Sequence, residues 1–341
     1  MIANKTAKLS SVKKTLLIGL WPKVQENYDN VNTLLSTVDL SKLPCPVTFS
    51  CDIKLDLFLV GKQQGSCKHP CIYCTGSDPW TCPTRLLTIG DLKKYQSDYL
   101  LAKAADEKTE AMDYNNCIYD NLLQHQFPDD KLILDCIAVP ELHILLGVIT
   151  KLLQYIQACF GKEAAAKLRG EEFVRKFLTS LNITVKGRGQ LEGNAAAKVA
   201  KNSSKLLDLA KELPEDVSEK VCRVGPVLEA FNEVKHLCFG ERILGNYPAA
   251  IQKFSGLWRS LPSISIPPKA HMLETHVVQF LDRRRSEGFE FHGLAFWGEQ
   301  AFEQTHHDFK VHWSRRAVGE DHEKYVDKMK DALVAYNTSH I

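Results

Sequence analysis

The chain has 341 residues, of which 44% are hydrophobic and 25% are charged, and its formal net charge is +2. This composition is that of an ordinary globular protein that is large enough to bury a substantial core. The near-zero net charge excludes nucleic-acid binding through overall charge, so that any basic surface must be local.

The cysteines indicate a reduced, intracellular compartment. There are eleven of them, an odd number, and Cys159, Cys222 and Cys238 lie inside apolar helical patterns rather than in a disulfide framework. No apolar run approaches the ~18 residues that a membrane span needs, so no membrane partner is expected. The N-terminal stretch MIANKTAKLSSVKK lacks the apolar core of a signal peptide.

The first elements are predicted to form a piece of an α/β layer. Lys14–Leu20 has the pattern of a strand, Gln25–Val38 that of a helix, and Val47–Cys51 alternates like a short buried strand. The acid Asp52 follows directly where this strand would end. Two strands and one helix do not complete an α/β layer, so the unit is expected to be partial.

After this unit, helices dominate. Gly61–Pro83 is rich in Gly, Pro, Ser and Cys, which favours a metal-tied loop, and Thr88 with Asp91 resembles a capping box. The best-defined helix is PELHILLGVITKLLQYIQACFG, with Pro140 at its first position and Gly161 at its C-terminal cap. Further helices are predicted over Glu171–Leu181, Asn194–Glu212, Pro214–Cys238, Ala249–Leu261, Pro268–Ser286 and Phe296–Trp313.

The first constellation with chemical meaning is a Cys2His2 set of Cys71, Cys74, His271 and His276. A CxxC pair and a histidine pair from a distant segment could hold one tetrahedral zinc ion and tie the two segments together. The histidine spacing presents a difficulty, because residues five apart on an ideal helix lie roughly 140° apart around its axis. The site therefore requires His271 to lie where the helix begins, and Pro267-Pro268 places the beginning there.

A local zinc site is an alternative to the distal set. Cys67, Cys71 and Cys74 could bind the ion with either His69 or Cys82, all within one loop. Spacing alone does not decide between the local and the distal set.

The second constellation consists of acids. Glu303, or its neighbour Glu299, lies in the segment WGEQAFEQTHHDFKVHW and could share a divalent ion with Asp52 if the final helix returned to the opening sheet. The plainer interpretation is that Asp52 is a turn residue and the glutamate an exposed charge. His143, His306 and His307 are candidates for supporting groups, and each also fits an ordinary packed or solvated histidine.

The third constellation is local basic character. Such runs neutralise phosphates, although they are also normal on solvated helix faces. The candidate DNA-binding residues are Lys186, Arg188, Arg283, Arg284, Arg285, Arg315 and Arg316.

The order of these motifs resembles a known family. An acid after a strand is followed by CxxC, then Glu141-Leu142-His143, Gly193-Asn194, His-x4-His and Trp-Gly-Glu-Gln-x2-Glu. This order is similar to the catalytic core of the Transib transposases and the V(D)J recombination-activating recombinase, and more closely to transposon-derived proteins of invertebrate genomes. The similarity runs from about Lys14 to Trp313, nearly the whole chain.

The resemblance implies an α/β plus α fold, a partial RNase H-like sheet carrying a large, mainly helical, zinc-bound insertion. It implies four regions: a partial RNase H-like unit over 1–62, a CxxC zinc-binding segment over 63–139, a helical domain with HxxxxH over 140–295, and C-terminal helices with the catalytic-type glutamate over 296–341. Asp52 and Glu303 would correspond to two catalytic acids that use Mg²⁺ or Mn²⁺. Structural zinc would be bound by Cys71, Cys74, His271 and His276. Double-stranded DNA, a second copy of the chain and an accessory subunit are the implied partners, and the nucleus the implied location.

One departure from the family matters for activity. The family uses a third acid, on an earlier strand, and no acid between Met1 and Cys51 is in an equivalent position, since Glu26, Asp29 and Asp39 lie in or beside the first helix. Two-metal phosphoryl transfer needs that shared carboxylate. We therefore expect either a piece of a DNA-cleaving and strand-transferring core that is inactive alone, from a longer or decayed protein, or a non-catalytic, zinc-stabilised DNA- or protein-binding module.

Overall fold

The computed structural model of the protein describes residues 27–37, 40, 47–63, 68–77, 84–105, 110–184, 191–298, 308–319 and 321–339. This part of the chain is mainly helical. The helices are α1 Tyr28–Ser36, α2 Ile53–Leu59, α3 Ile89–Ala104, α4 Ile133–Cys136, α5 Glu141–Ala158, α6 Ala164–Ser180, α7 Gly193–Ala200, α8 Ser203–Ala210, α9 Glu215–Cys222, α10 Val224–Cys238, α11 Tyr247–Arg259, α12 Pro268–His271, α13 Val277–Ser286, α14 Leu294–Trp297, α15 over 308–314 and α16 Tyr325–Thr338. A π turn, Met272–His276, joins α12 to α13, and two 3₁₀ turns cover Ala111–Tyr114 and Leu122–His125.

The predicted partial RNase H-like sheet is wrong. The described residues contain isolated β-bridges but no strand. Where the strand Val47–Cys51 was expected, Phe49 forms a single parallel bridge: its N–H donates to Cys136 O (2.8 Å) and its C=O accepts from Ala138 N–H (2.8 Å). The other expected strand, Lys14–Leu20, lies outside the described residues.

The reason for the error is the residue that follows the bridge. Asp52 is the N-cap of α2, and its carboxylate accepts a hydrogen bond from Leu55 N–H (2.8 Å). Aspartate is among the strongest N-cap residues because its oxygen satisfies an N–H that the first helical turn leaves without a partner. The acid that was interpreted as the end of a strand therefore begins a helix.

Several helix predictions are confirmed. Thr88 and Asp91 form a full capping box at the start of α3, with Asp91 N–H donating to Thr88 Oγ1 (3.1 Å) and Thr88 N–H donating to Asp91 Oδ2 (2.9 Å). The long helix α5 begins after Pro140, and Gly161 past its end adopts a φ of +124°. Two predicted helices are each divided in two, at 201–202 and at Arg223.

Within the described residues, an apolar core joins the loop after α2 to the helical body. The core cluster extends from Leu59 and Ile72 through α5 to the aromatic contacts between α10 and α11. Helix α5 packs on α6, α7 and α12, which fixes α12 and the π turn over the CxxC loop. No helix in the described part of the chain has the length and apolar content that crossing a membrane requires.

Candidate metal centre

The CxxC loop is held rigidly against its neighbours. Leu87 N–H donates to Tyr73 O (2.8 Å), Thr75 N–H donates to Arg85 O (2.9 Å), and the Tyr73 hydroxyl donates to Ala138 O (2.8 Å). Gly76 N–H also lies 3.3 Å from Cys74 Sγ, as a donor to that sulfur. These contacts keep both thiols of the loop buried and turned towards the helical body.

The π turn resolves the histidine spacing. Within it, Val277 N–H donates to Met272 O, an i→i+5 hydrogen bond that replaces the usual i→i+4 bond. An i→i+5 turn widens the helix locally, so residues five apart come closer to the same side than an α-helix allows. His271 at the end of α12 and His276 at the end of the π turn accordingly lie with their ring centroids 5.0 Å apart.

The two pairs meet although about two hundred residues of chain separate them. Cys71 Sγ lies 3.3 Å from His276 Nε2, and Cys74 Sγ lies 3.3 Å from His271 Nε2. One ligand atom from each of the four side chains lies within 4.8 Å of the others, and all four residues are buried. Bond lengths of about 2.3 Å to sulfur and 2.0–2.1 Å to nitrogen give S···N edges of about 3.5 Å in a tetrahedral zinc site. The cluster could therefore hold a metal ion such as zinc.

The outer nitrogens of the histidines have partners of their own. His276 Nδ1 lies 2.8 Å from Gln279 Oε1, and His271 Nδ1 lies 3.4 Å from Thr275 Oγ1. A carbonyl-type oxygen such as that of Gln279 requires an N–H at Nδ1, which leaves the Nε2 lone pair of His276 free for a metal. Sequence reasoning missed Gln279 and Thr275, whose only signal is their position one helical turn from each ligand.

The electrostatics of the CxxC pair differ from those of the other buried cysteines. Burial raises the pKa of Cys117 to about 11 and that of Cys136 to about 12. At Cys71 burial acts in the same direction, but hydrogen bonds from Cys74 and from the backbone, together with the charge of Lys62, outweigh it and lower the pKa. The hydrogen bond to Cys71 and burial raise the pKa of Cys74. A lowered pKa favours the thiolate of Cys71, which is the form that binds a metal ion.

The structure also bears on the local alternative. His69 directs Nδ1 towards Thr75 O (3.2 Å) and is not part of the four-residue cluster. Cys67 and Cys82 lie outside the described residues, so the distal set is the cluster that the described residues form.

The surroundings of Asp52 connect three segments. His143 on α5 is half-buried, and its pKa is lowered by burial and by Lys269, whereas the nearby Asp52 opposes this shift. Two residues earlier on α5, the buried Glu141 brings its carboxylate against Gly298, where an added Cβ would meet the carboxylate oxygens. Gly298 immediately precedes the segment with Glu299, Glu303, His306 and His307, which lies outside the described residues. Glu141 is an acid of this region that the sequence did not single out as a site residue.

The candidate DNA-binding arginines differ in exposure. Arg283 forms a two-pronged ion pair with the buried Asp135 (2.5 and 2.6 Å), and Arg284 is itself buried, donating to Asp135 O (2.9 Å). Arg285 and Arg315 are exposed, and Arg316 donates to His312 O (3.1 Å). Lys186 and Arg188 lie outside the described residues. Of the candidate DNA-binding arginines that the structure describes, Arg285 and Arg315 are the exposed ones.

Comparison with known proteins gives no family assignment: no family model matches the chain, and no curated protein matches it either.

Proposed function

We propose that this chain is a zinc-stabilised helical module that binds double-stranded DNA and does not cleave it alone. The observation that carries the proposal is the buried cluster of Cys71, Cys74, His271 and His276. The cluster supplies a metal centre that joins the CxxC loop to the helical body, and DNA is the ligand that the resemblance to transposases favours.

Zinc is the ion that fits these ligands best. Two thiolates and two imidazoles in a tetrahedral arrangement are typical of structural zinc, whereas magnesium and calcium take oxygen ligands. Two thiolates also neutralise the charge of the ion. Zinc is therefore proposed as the resident ion of this centre.

The centre fits a structural role rather than a catalytic one. Catalytic zinc keeps one position open for water or substrate, and structural zinc is bound by four protein ligands. Here all four side chains are buried, with His276 and both cysteines fully so. With four protein ligands, such a centre leaves no open coordination position.

DNA binding is proposed to depend on local basic groups. With a net charge of +2, affinity must come from exposed groups such as Arg285 and Arg315, and it should fall steeply with salt because phosphate contacts release counterions. A protein ligand, which these surfaces could also bind, would show a weaker salt dependence.

A second candidate function, part of a DNA-recombinase core, rests on the surroundings of Asp52. The structure brings Asp52 near His143 on α5, and Glu141 on the same helix contacts Gly298, which leads into the segment with Glu303. In this proposal Asp52 and Glu303 would be carboxylate ligands for Mg²⁺ or Mn²⁺, which would supply the activation of water and of the leaving oxygen. Because only two of the family's three acids have counterparts, we propose that the chain by itself is not competent.

We predict that the purified 341-residue chain retards a duplex DNA in a salt-dependent manner and leaves supercoiled plasmid intact with Mn²⁺. The physical reason is that phosphate contacts need only exposed cations, whereas cleavage needs a complete set of metal-binding acids. Gel-shift and plasmid-nicking assays on the same preparation measure the two properties.

The Asp52→Asn variant is the matched control for nicking. Nicking by the wild type that this variant abolishes would show that the chain is an active nuclease and contradict the non-catalytic proposal. Absence of DNA retardation at low salt would contradict DNA binding and favour a protein ligand.

A further inference from the structure

A buried lysine lies directly behind the metal centre. Lys62 is fully buried, and its Nζ lies 2.6 Å from Cys71 O, 2.7 Å from Asn115 Oδ1 and 3.4 Å from His69 O. Two of these three acceptors belong to the CxxC loop itself. Lys62 therefore holds the loop through the backbone of His69 and Cys71.

The three acceptors indicate the charged form of the side chain. An ammonium has three N–H donors and no acceptor, so three surrounding oxygens use its full hydrogen-bonding capacity. Burying such a charge is costly unless hydrogen bonds and nearby negative charge compensate it. The three oxygens around Lys62 Nζ supply those hydrogen bonds.

A strained turn completes the arrangement. Asn115 and Asn116 are both buried and both adopt positive φ angles, 53° and 61°. Asn115 accepts from Lys62, and Asn116 Oδ1 accepts from His69 N–H (3.0 Å), so each side chain of the turn contacts the loop or its anchor. Backbone strain of this kind persists only where the surrounding contacts compensate for it.

We propose that Lys62, Asn115 and Asn116 form a positioning clamp that presets the backbone of Cys71 for metal binding. This inference rests on the proposed zinc function and deepens it. Lys62 is a positioning residue because it touches the backbone of a ligand and not the ion. Outer groups that orient metal ligands typically account for a 10–100-fold share of metal affinity.

The test is the Lys62→Met variant of the full chain, which keeps the length of the side chain and removes its charge and donors. We expect zinc affinity, measured by competition with a chromophoric chelator, to fall about 10–100-fold while the stoichiometry stays at one ion. The cobalt-substituted protein should show an altered sulfur-to-cobalt charge-transfer band, which a loss of stability elsewhere would leave unchanged. Lys54→Met, an exposed lysine on the neighbouring helix α2, is the matched control and should behave like the wild type.

A second variant covers the case in which Lys62→Met does not fold. Asn115→Gly relieves the positive φ and removes one acceptor from Lys62, and it should weaken zinc binding about tenfold. Wild-type affinity and an unchanged cobalt spectrum in the folded Lys62→Met protein, or in Asn115→Gly if only that variant folds, would overturn the clamp but leave the zinc centre standing. A wild-type chain that binds no zinc would overturn both.

Discussion

A Cys74→Ser protein is expected to lose its zinc and much of its stability. Serine cannot supply the second thiolate, and the remaining three ligands bind the ion far more weakly. Because the centre ties the CxxC loop to α12 and the π turn, the binding energy of the ion is also folding energy, about 10–16 kcal/mol for structural zinc in small zinc-finger peptides. We therefore expect the thermal unfolding midpoint to fall by on the order of 10 °C or more.

Metal analysis and thermal denaturation check this prediction together. Cys222→Ser is the matched control because it removes a half-buried thiol on α9 that is not part of the cluster, and it should keep one zinc per chain. Full zinc content in the Cys74→Ser protein would count against the distal site and favour a local set that includes Cys67 or Cys82.

An Arg284→Ala protein is expected to be less stable than the wild type by about 3 kcal/mol. The guanidinium is buried, donates to Asp135 O (2.9 Å) and to Glu287 Oε2 (2.7 Å), and lies 4.9 Å from the ring centroids of both Phe280 and Trp297. Its removal leaves the backbone oxygen without this donor and opens space between the two rings. Urea denaturation monitored by circular dichroism measures the loss.

The neighbouring Arg285 provides the control. It is exposed, and its ion pair with Asp282 is long, with 4.0 Å between Nη1 and Oδ1. Arg285→Ala should therefore change the free energy of unfolding by less than about 0.5 kcal/mol. Equal losses for the two variants would contradict the structural role assigned to Arg284. The contrast also separates the arginine triplet, interpreted from the sequence as one DNA-binding run, into structural and surface residues.

The helical body was largely predictable because its signals are local. The apolar spacing of α5, the prolines that precede α5 and α12, and the Thr88–Asp91 capping box each depend on residues within one or two turns. The strand at Val47–Cys51 was not predictable, since strand formation depends on a partner segment. Only Phe49 finds one, at Ile137, almost ninety residues later.

The candidate metal site was likewise predictable in part from the sequence. Residue types and spacing pointed to Cys71, Cys74, His271 and His276, although a local alternative remained open. The π turn that aligns the two histidines has no signal in the sequence, and it follows α12, which packs on α5. Lys62 was equally hidden, since a lysine in a loop is expected on the surface and its burial depends on Asn115 and Cys71 from other segments.

X-ray absorption at the zinc edge of the purified 341-residue chain tests the metal centre most directly. We predict an ion with two sulfur ligands at about 2.3 Å and two nitrogen ligands at about 2.0–2.1 Å, as the distal set requires. Three or four sulfur ligands, a coordination sphere of oxygen alone, or a chain purified in zinc-containing buffer that carries no zinc would contradict the assignment of Cys71, Cys74, His271 and His276 as the zinc ligands.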